Sequence, residues 1–188
     1  MSLTIVDQPL PYVSLLPERP AGAVEMVVIH CTELPDLAMA REYGERVLYE
    51  SGAGASGHFY IDRDGSVHQY VPGTRVANHV RGHNPHSIGI ELVNLGRYPD
   101  WWDSRRQAMT EPYTRAQIDA LLALLAELKR QYPNLHRLAG HEDLATARLP
   151  ATDDPSLDVP RKLDPGPLFP WPEVIEGSGL GRWTPAGG

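Results

Sequence analysis

Val24-Glu25-Met26-Val27-Val28-Ile29-His30 is a run of mainly β-branched and apolar residues that ends on an imidazole. An apolar stretch of this length reads as a strand buried on both faces. In open α/β sheets, ligands sit beyond the carboxyl ends of the strands, so His30 stands where a site would open. Upstream, residues 1–22 are proline-rich and aperiodic, and read as an extended arm. Downstream, Asp36 is a plausible N-cap for a helix over Asp36–Glu50. Two short strands follow, His58–Asp62 and Val67–Val71, joined at the hairpin signal Asp64-Gly65. Ile88–Asn94 predicts a further strand, with Ile88, Ile90 and Leu92 on one face and Gly89, Glu91 and Val93 on the other. Ile118, Leu121, Leu122, Leu125 and Leu128 make the apolar stripe of a helix that starts at Thr114 and stops at Pro133-Asn134. The hairpin forces at least one antiparallel pair. The expected fold is therefore α/β, a single domain with a mixed central β-sheet flanked by helices.

The chain has 188 residues, the size of one domain, and needs no disulfide or metal to build a core. We divide it into the arm (1–22), a main domain (23–175) and a glycine-rich flexible tail (176–188). Residues Arg97–Pro112, with Trp101-Trp102, read as a surface loop; the two indoles either stack on a ligand or cover the loop. The proline-dense stretch Pro150–Pro172 reads as a loop or extended wrap. Lys and Arg number 17 against 24 Asp and Glu, for a net charge of −7. Such a surface repels phosphate backbones, so no nucleic-acid partner is expected. The longest dense apolar run, Leu121–Leu128, is too short to span a bilayer, and no membrane insertion is expected. The N-terminus lacks the pattern of a signal peptide, which favours a cytoplasmic location, with the periplasm or envelope as the alternative. One cysteine, Cys31, forbids an intrachain disulfide. No heptad repeat argues for a dimer, so a monomer is expected.

Three places concentrate polar chemistry. They are His30, the cluster Gly140-His141-Glu142-Asp143, and Arg161-Lys162-Leu163-Asp164-Pro165-Gly166-Pro167, where prolines hold the backbone around Asp164. Each also has an ordinary structural reading: a hydrogen-bonded core histidine, a helix cap and a capped turn. Two histidines and a carboxylate from three segments would make a zinc site with an open fourth position. Their spacing matches no short metal motif. Glu91, in an otherwise apolar strand, must face a pocket, be paired or be protonated. Lys162 and Asp164 are two apart, so an extended segment aims both at one spot. Cys31, next to His30 on a strand, should face the other way and read as a buried core thiol. His58 and His68 read as hydrogen-bonded strand residues. The pair His83 and His86 flanks Asn84-Pro85, which disfavours a helix and with it a shared metal.

VVIHCT, SGHFYIDRDGSVHQYV, NPHSIGIELVN, LAGHEDLA and RKLDPGPLFPW, in that order, resemble the type-2 N-acetylmuramoyl-L-alanine amidase family, which also includes amidase-type phage lysozymes and peptidoglycan-recognition proteins. The resemblance runs from Glu25 to Trp171. It implies a fold of the peptidoglycan-recognition/amidase type and Zn2+ held by His30, His141 and Asp164. It further implies a catalytic carboxylate at Glu91, a transition-state lysine at Lys162, and substrate contacts from His79 and Asn84. His79 follows Asn78, where the family usually has Trp. The implied reaction is hydrolysis of the amide between N-acetylmuramic acid, or its anhydro form, and L-alanine. The implied partner is peptidoglycan or a muropeptide. The alternatives are a non-catalytic muropeptide-binding module of the same fold, and a zinc amidase that cuts a different amide.

Overall fold

The computed structural model describes residues 3–184. The strands are β1 (Ile5–Asp7), β2 (Met26–Cys31), β3 (Phe59–Ile61), β4 (Val67–Gln69), β5 (Ser87–Leu92), β6 (Arg137–Gly140), β7 (Arg148–Pro150), β8 (Asp158–Pro160) and β9 (Gly181–Arg182). The helices are α1 (Leu37–Glu45), α2 (Arg115–Gln131), α3 (His141–Leu144) and α4 (Trp171–Ser178). Seven strands form one sheet in the order β1-β4-β3-β5-β2-β6-β9, and β7 pairs with β8 in a separate two-stranded ribbon. Within the large sheet β3 and β4 run antiparallel and the other neighbours run parallel. This is the mixed sheet expected from the Asp64-Gly65 turn. Gly65 has φ +85°, and a Cβ there would lie 2.8 Å from the Ala116 carbonyl oxygen, so both conformation and space call for glycine.

The sheet separates two apolar layers. Val27, Ile29, Ile61, Ile88, Ile90 and Leu92 face α2, whose Ile118, Leu121, Leu124, Leu125 and Leu128 are buried against them. The opposite face carries Met26, Val28, Val80 and Ala139, and a second cluster of Leu10, Tyr12, Leu16, Tyr60 and Tyr70 packs under α1. Thr114 and Gln117 close a reciprocal capping box at the start of α2. The Asp36 side chain accepts from the Met39 amide at 2.7 Å, the expected N-cap of α1.

Four expectations need correcting. The helix after Asp36 ends at Glu45 rather than Glu50, because the Leu48 and Tyr49 amides turn to the Ala53 carbonyl and leave the helical ladder. The arm is part of the domain. Ile5–Asp7 extends the sheet beside β4, and Leu10, Tyr12 and Leu16 are buried. The proline-dense wrap contains one strand of the β7–β8 ribbon and the first residues of α4. The tail is ordered as far as Thr184. Val174 and Leu180 are buried, Gly179 caps α4 in the left-handed conformation, and Gly181-Arg182 pairs with β6. The remainder of that tail, residues 185–188, lies outside the described residues.

Candidate metal centre

Register builds the site. β2 and β5 are parallel neighbours with His30 opposite Glu91, and β3 places Tyr60 opposite Glu91 on the other side. Alternation along β2 sends Val27 and Ile29 to the α2 layer and His30 to the opposite face. β6 runs beside β2 as far as Gly140, opposite Ile29, so the next residue, His141, emerges beside His30 at the carboxyl edge. Asp164 arrives from the segment after β8, anchored where its carbonyl accepts from the Glu142 amide at 3.0 Å.

The three side chains converge and are buried. His30 Nδ1 lies 3.0 Å from His141 Nδ1, and each lies 3.1 Å from Asp164 Oδ2. A tetrahedral ion with ligand bonds of about 2.0–2.1 Å would separate its donors by roughly 3.3 Å, close to these spacings. Proton counting gives the same answer. The Ser87 hydroxyl must donate to the His83 carbonyl, 2.9 Å away, so its oxygen accepts from His79 Nε2 at 3.1 Å. Neutral His79 then has its lone pair on Nδ1, which accepts from His30 Nε2 at 3.0 Å. Neutral His30 is left with a lone pair on Nδ1, pointing at the Asp164 carboxylate. Two acceptors at 3.1 Å with no proton between them need a cation, and Asp164 Oδ1 is buried without a hydrogen-bond partner. The donor set thus fits a divalent metal.

The charge states agree. Burial and the neighbouring His141 push the His30 imidazole down to about 4, which keeps it in the neutral, ligating form. Burial works to raise the Asp164 carboxyl, but the imidazoles of His141 and His30 packed against it, together with Lys162, outweigh burial and hold it well below the usual range. Glu91 is the contrasting carboxyl. Burial, then the Asp164 charge, raise it well above the ordinary value, against the pull of Lys162. Its Oε1 lies 3.9 Å from His30 Nδ1.

These groups line a cleft of about 330 Å³, with Lys162 and Arg161 on one wall and Tyr43, Trp101 and Trp102 among the others. The cleft thus unites His30, His79, Glu91, His141, Lys162 and Asp164. Asn84 is not in its lining. The Asn84 side-chain oxygen accepts from the His79 and Val80 amides at 3.1 and 2.7 Å. Both ring nitrogens of His79 are likewise engaged by protein, although the ring borders the cleft. Cys31 is buried, as expected.

The sequence reading missed the wall formed by Glu33 and Arg97. Their side chains pair at 2.7 and 3.0 Å and are 7% and 0% exposed, though Arg97 begins a segment that reads as a polar surface loop. Trp101 Nε1 donates to the Glu33 carbonyl. No local motif links residues so far apart.

The family model for N-acetylmuramoyl-L-alanine amidase matches residues 20–167. The N-acetylmuramoyl-L-alanine amidase AmiD of Escherichia coli (strain K12) is 35% identical over 104 residues, 55% of this chain and 31% of AmiD. The 1,6-anhydro-N-acetylmuramyl-L-alanine amidase AmpD of Enterobacter cloacae is 35% identical over 120 residues, 59% of this chain and 50% of AmpD. The matched region thus spans half or less of either relative. A structure of AmiD from E. coli, in complex with the substrate anhydro-N-acetylmuramic acid-L-Ala-D-gamma-Glu-L-Lys, superposes with a TM-score of 0.62. It is 26% identical and covers 87% of this chain and 60% of that one. Among the described residues, no helix is long and apolar enough to cross a membrane.

Proposed function

The chain belongs to the N-acetylmuramoyl-L-alanine amidase family, and from that premise we propose that it hydrolyses the amide joining N-acetylmuramic acid, or its anhydro form, to L-alanine in peptidoglycan fragments. The observation that carries the reading is the convergence of His30, His141 and Asp164 at 3.0–3.1 Å with a perturbed carboxyl, Glu91, beside them. These three residues would hold Zn2+. Bound there, zinc supplies Lewis-acid polarisation and makes water acidic near pH roughly 7.

The chain's own groups do the rest. Glu91 takes the proton of the attacking water and returns one to the departing alanine nitrogen, and such transfer contributes roughly 10²–10⁴ in rate. Burial and the Asp164 charge raise its carboxyl, which makes it a stronger proton acceptor than an exposed glutamate. Lys162, on the cleft wall, meets the negative charge that grows on the carbonyl oxygen, a role worth about 2.7–4 kcal/mol per donor. Two relatives support an anhydro-muropeptide as substrate: AmpD through its name, and AmiD through the ligand in its structure. A soluble substrate goes with a cytoplasmic site of action, whereas polymeric murein would place the protein in the envelope.

The test is incubation of the zinc-loaded protein with a soluble anhydro-muropeptide and, separately, with intact sacculi, with products read by mass spectrometry. Release of a free peptide that begins with L-alanine is expected. Binding without cleavage, or a cut within the stem peptide, would overturn the reading.

A further inference from the structure

The hydrogen-bond chain behind His30 runs through residues that the chemistry above does not use. It starts at a group with no choice, the His83 carbonyl, and passes through Ser87 Oγ and both nitrogens of His79 to His30 Nε2. Each link is 2.9–3.1 Å, and each fixes the direction of the next. Two further features hold His79 in place. The Asn84 side chain anchors the backbone at the His79 and Val80 amides. Gly89 clears the space, since a Cβ there would lie 2.7 Å from the His79 ring. The His30 and His79 rings meet edge-on at 80°, with centroids 5.2 Å apart.

We propose that His79 is a positioning residue for the metal, fixing the tautomer and ring orientation of His30 so that the Nδ1 lone pair faces the cation. The inference rests on the metal reading of His30, His141 and Asp164. It assigns Asn84, Ser87 and Gly89 to supporting His79, and it gives a physical reason for the serine and glycine of β5. A ligand imidazole whose far N–H lacks an acceptor is free to rotate and to change tautomer, and loss of such a partner typically costs roughly 10–100-fold in metal affinity.

The experiment measures Zn2+ affinity by chelator competition, and the visible spectrum of the Co2+-substituted protein, in full-length wild type, His79→Leu, His79→Asn and Ser87→Ala. Asn can return an acceptor oxygen near the position of Nδ1; Leu cannot. His79→Leu is expected to bind zinc roughly 10–100-fold more weakly, with an altered cobalt spectrum. His79→Asn is expected to restore most of both, and Ser87→Ala to fall between. Wild-type affinity and an unchanged cobalt spectrum in His79→Leu would overturn the proposal. If His79→Leu does not fold, Ser87→Ala decides: weaker binding with a shifted spectrum supports the relay, and unchanged binding overturns it. Failure of the wild type itself to bind Zn2+ or Co2+ would instead remove the metal reading beneath it.

Discussion

Glu91 and Asp164 are two carboxyls in one cleft, driven in opposite directions by what surrounds them. Asp164 has two imidazoles against it and stays ionised; Glu91 faces burial and the Asp164 charge and holds its proton longer. That split predicts different failures. Glu91→Gln keeps the shape and removes the proton acceptor. Zinc content by atomic spectroscopy should stay at the wild-type level while kcat falls by roughly 10²–10⁴. A kcat near wild type would remove Glu91 from the chemistry. Asp164→Ala should instead lose zinc on dialysis, and activity should follow the metal. Residues of this kind were legible in the sequence because Glu91 interrupts an otherwise apolar strand and Asp164 sits in a proline-held segment. The jobs of His79 and Asn84 were not. Nothing in Asn78-His79 or Asn84-Pro85 shows that an asparagine oxygen caps one backbone segment while a ring bridges His30 to a serine.

At the level of elements, pattern gave α2 and β5 because their periodicity is strong, and it missed α4 and β9 because they are short and glycine-rich. The miss also distorted the reading of α2. Leu124 is fully buried and belongs to its stripe, whereas Leu122 is only partly buried and lies against α4, where a Cβ on Gly177 would come within 2.8 Å of it. Leu124→Ala, facing the sheet, should cost about 2–5 kcal/mol in urea unfolding, and Leu122→Ala clearly less. Equal losses would contradict this packing.

His58, just before β3, ties elements together: its Nδ1 accepts from the Gly89 amide of β5 at 3.0 Å, and its Nε2 meets Arg75 and Arg19. Burial, then the Arg19 charge, push it down to about 3. As pH falls from about 6.5 towards about 3, the unfolded chain takes up a proton that the folded chain refuses, so stability drops across that window. Above the window, His58 is neutral in both states and adds no slope. His58→Gln should make the fall of the urea midpoint with acidity shallower by about one proton, and an unchanged slope would exclude His58 as a source.

Across the whole molecule, one buried ion pair joins segments far apart in sequence. Glu33 lies just beyond β2, with φ +48°, a conformation non-glycine residues keep only where their surroundings hold them. Arg97 lies in the loop after β5 and, besides pairing with Glu33, donates to Gln107 Oε1 at 3.1 Å and to the Pro160 carbonyl at 2.9 Å, two residues before Lys162. The pair therefore fastens the ends of two central strands to the segment that delivers Lys162 and Asp164. Removing one member strands a charge in a dry wall. Arg97→Met or Glu33→Gln alone should cost about 3–5 kcal/mol. The double variant no longer holds an unpaired ion, so its loss should be smaller than the sum of the two, with a coupling of about 0.5–3 kcal/mol in a double-mutant cycle. Because Arg97 also holds Pro160, the double variant should still lose kcat while keeping its zinc, as Lys162 is released from a fixed position. Additive stability losses, or full activity in the double variant, would show that the wall is assembled by other contacts and that the pair is incidental to the site.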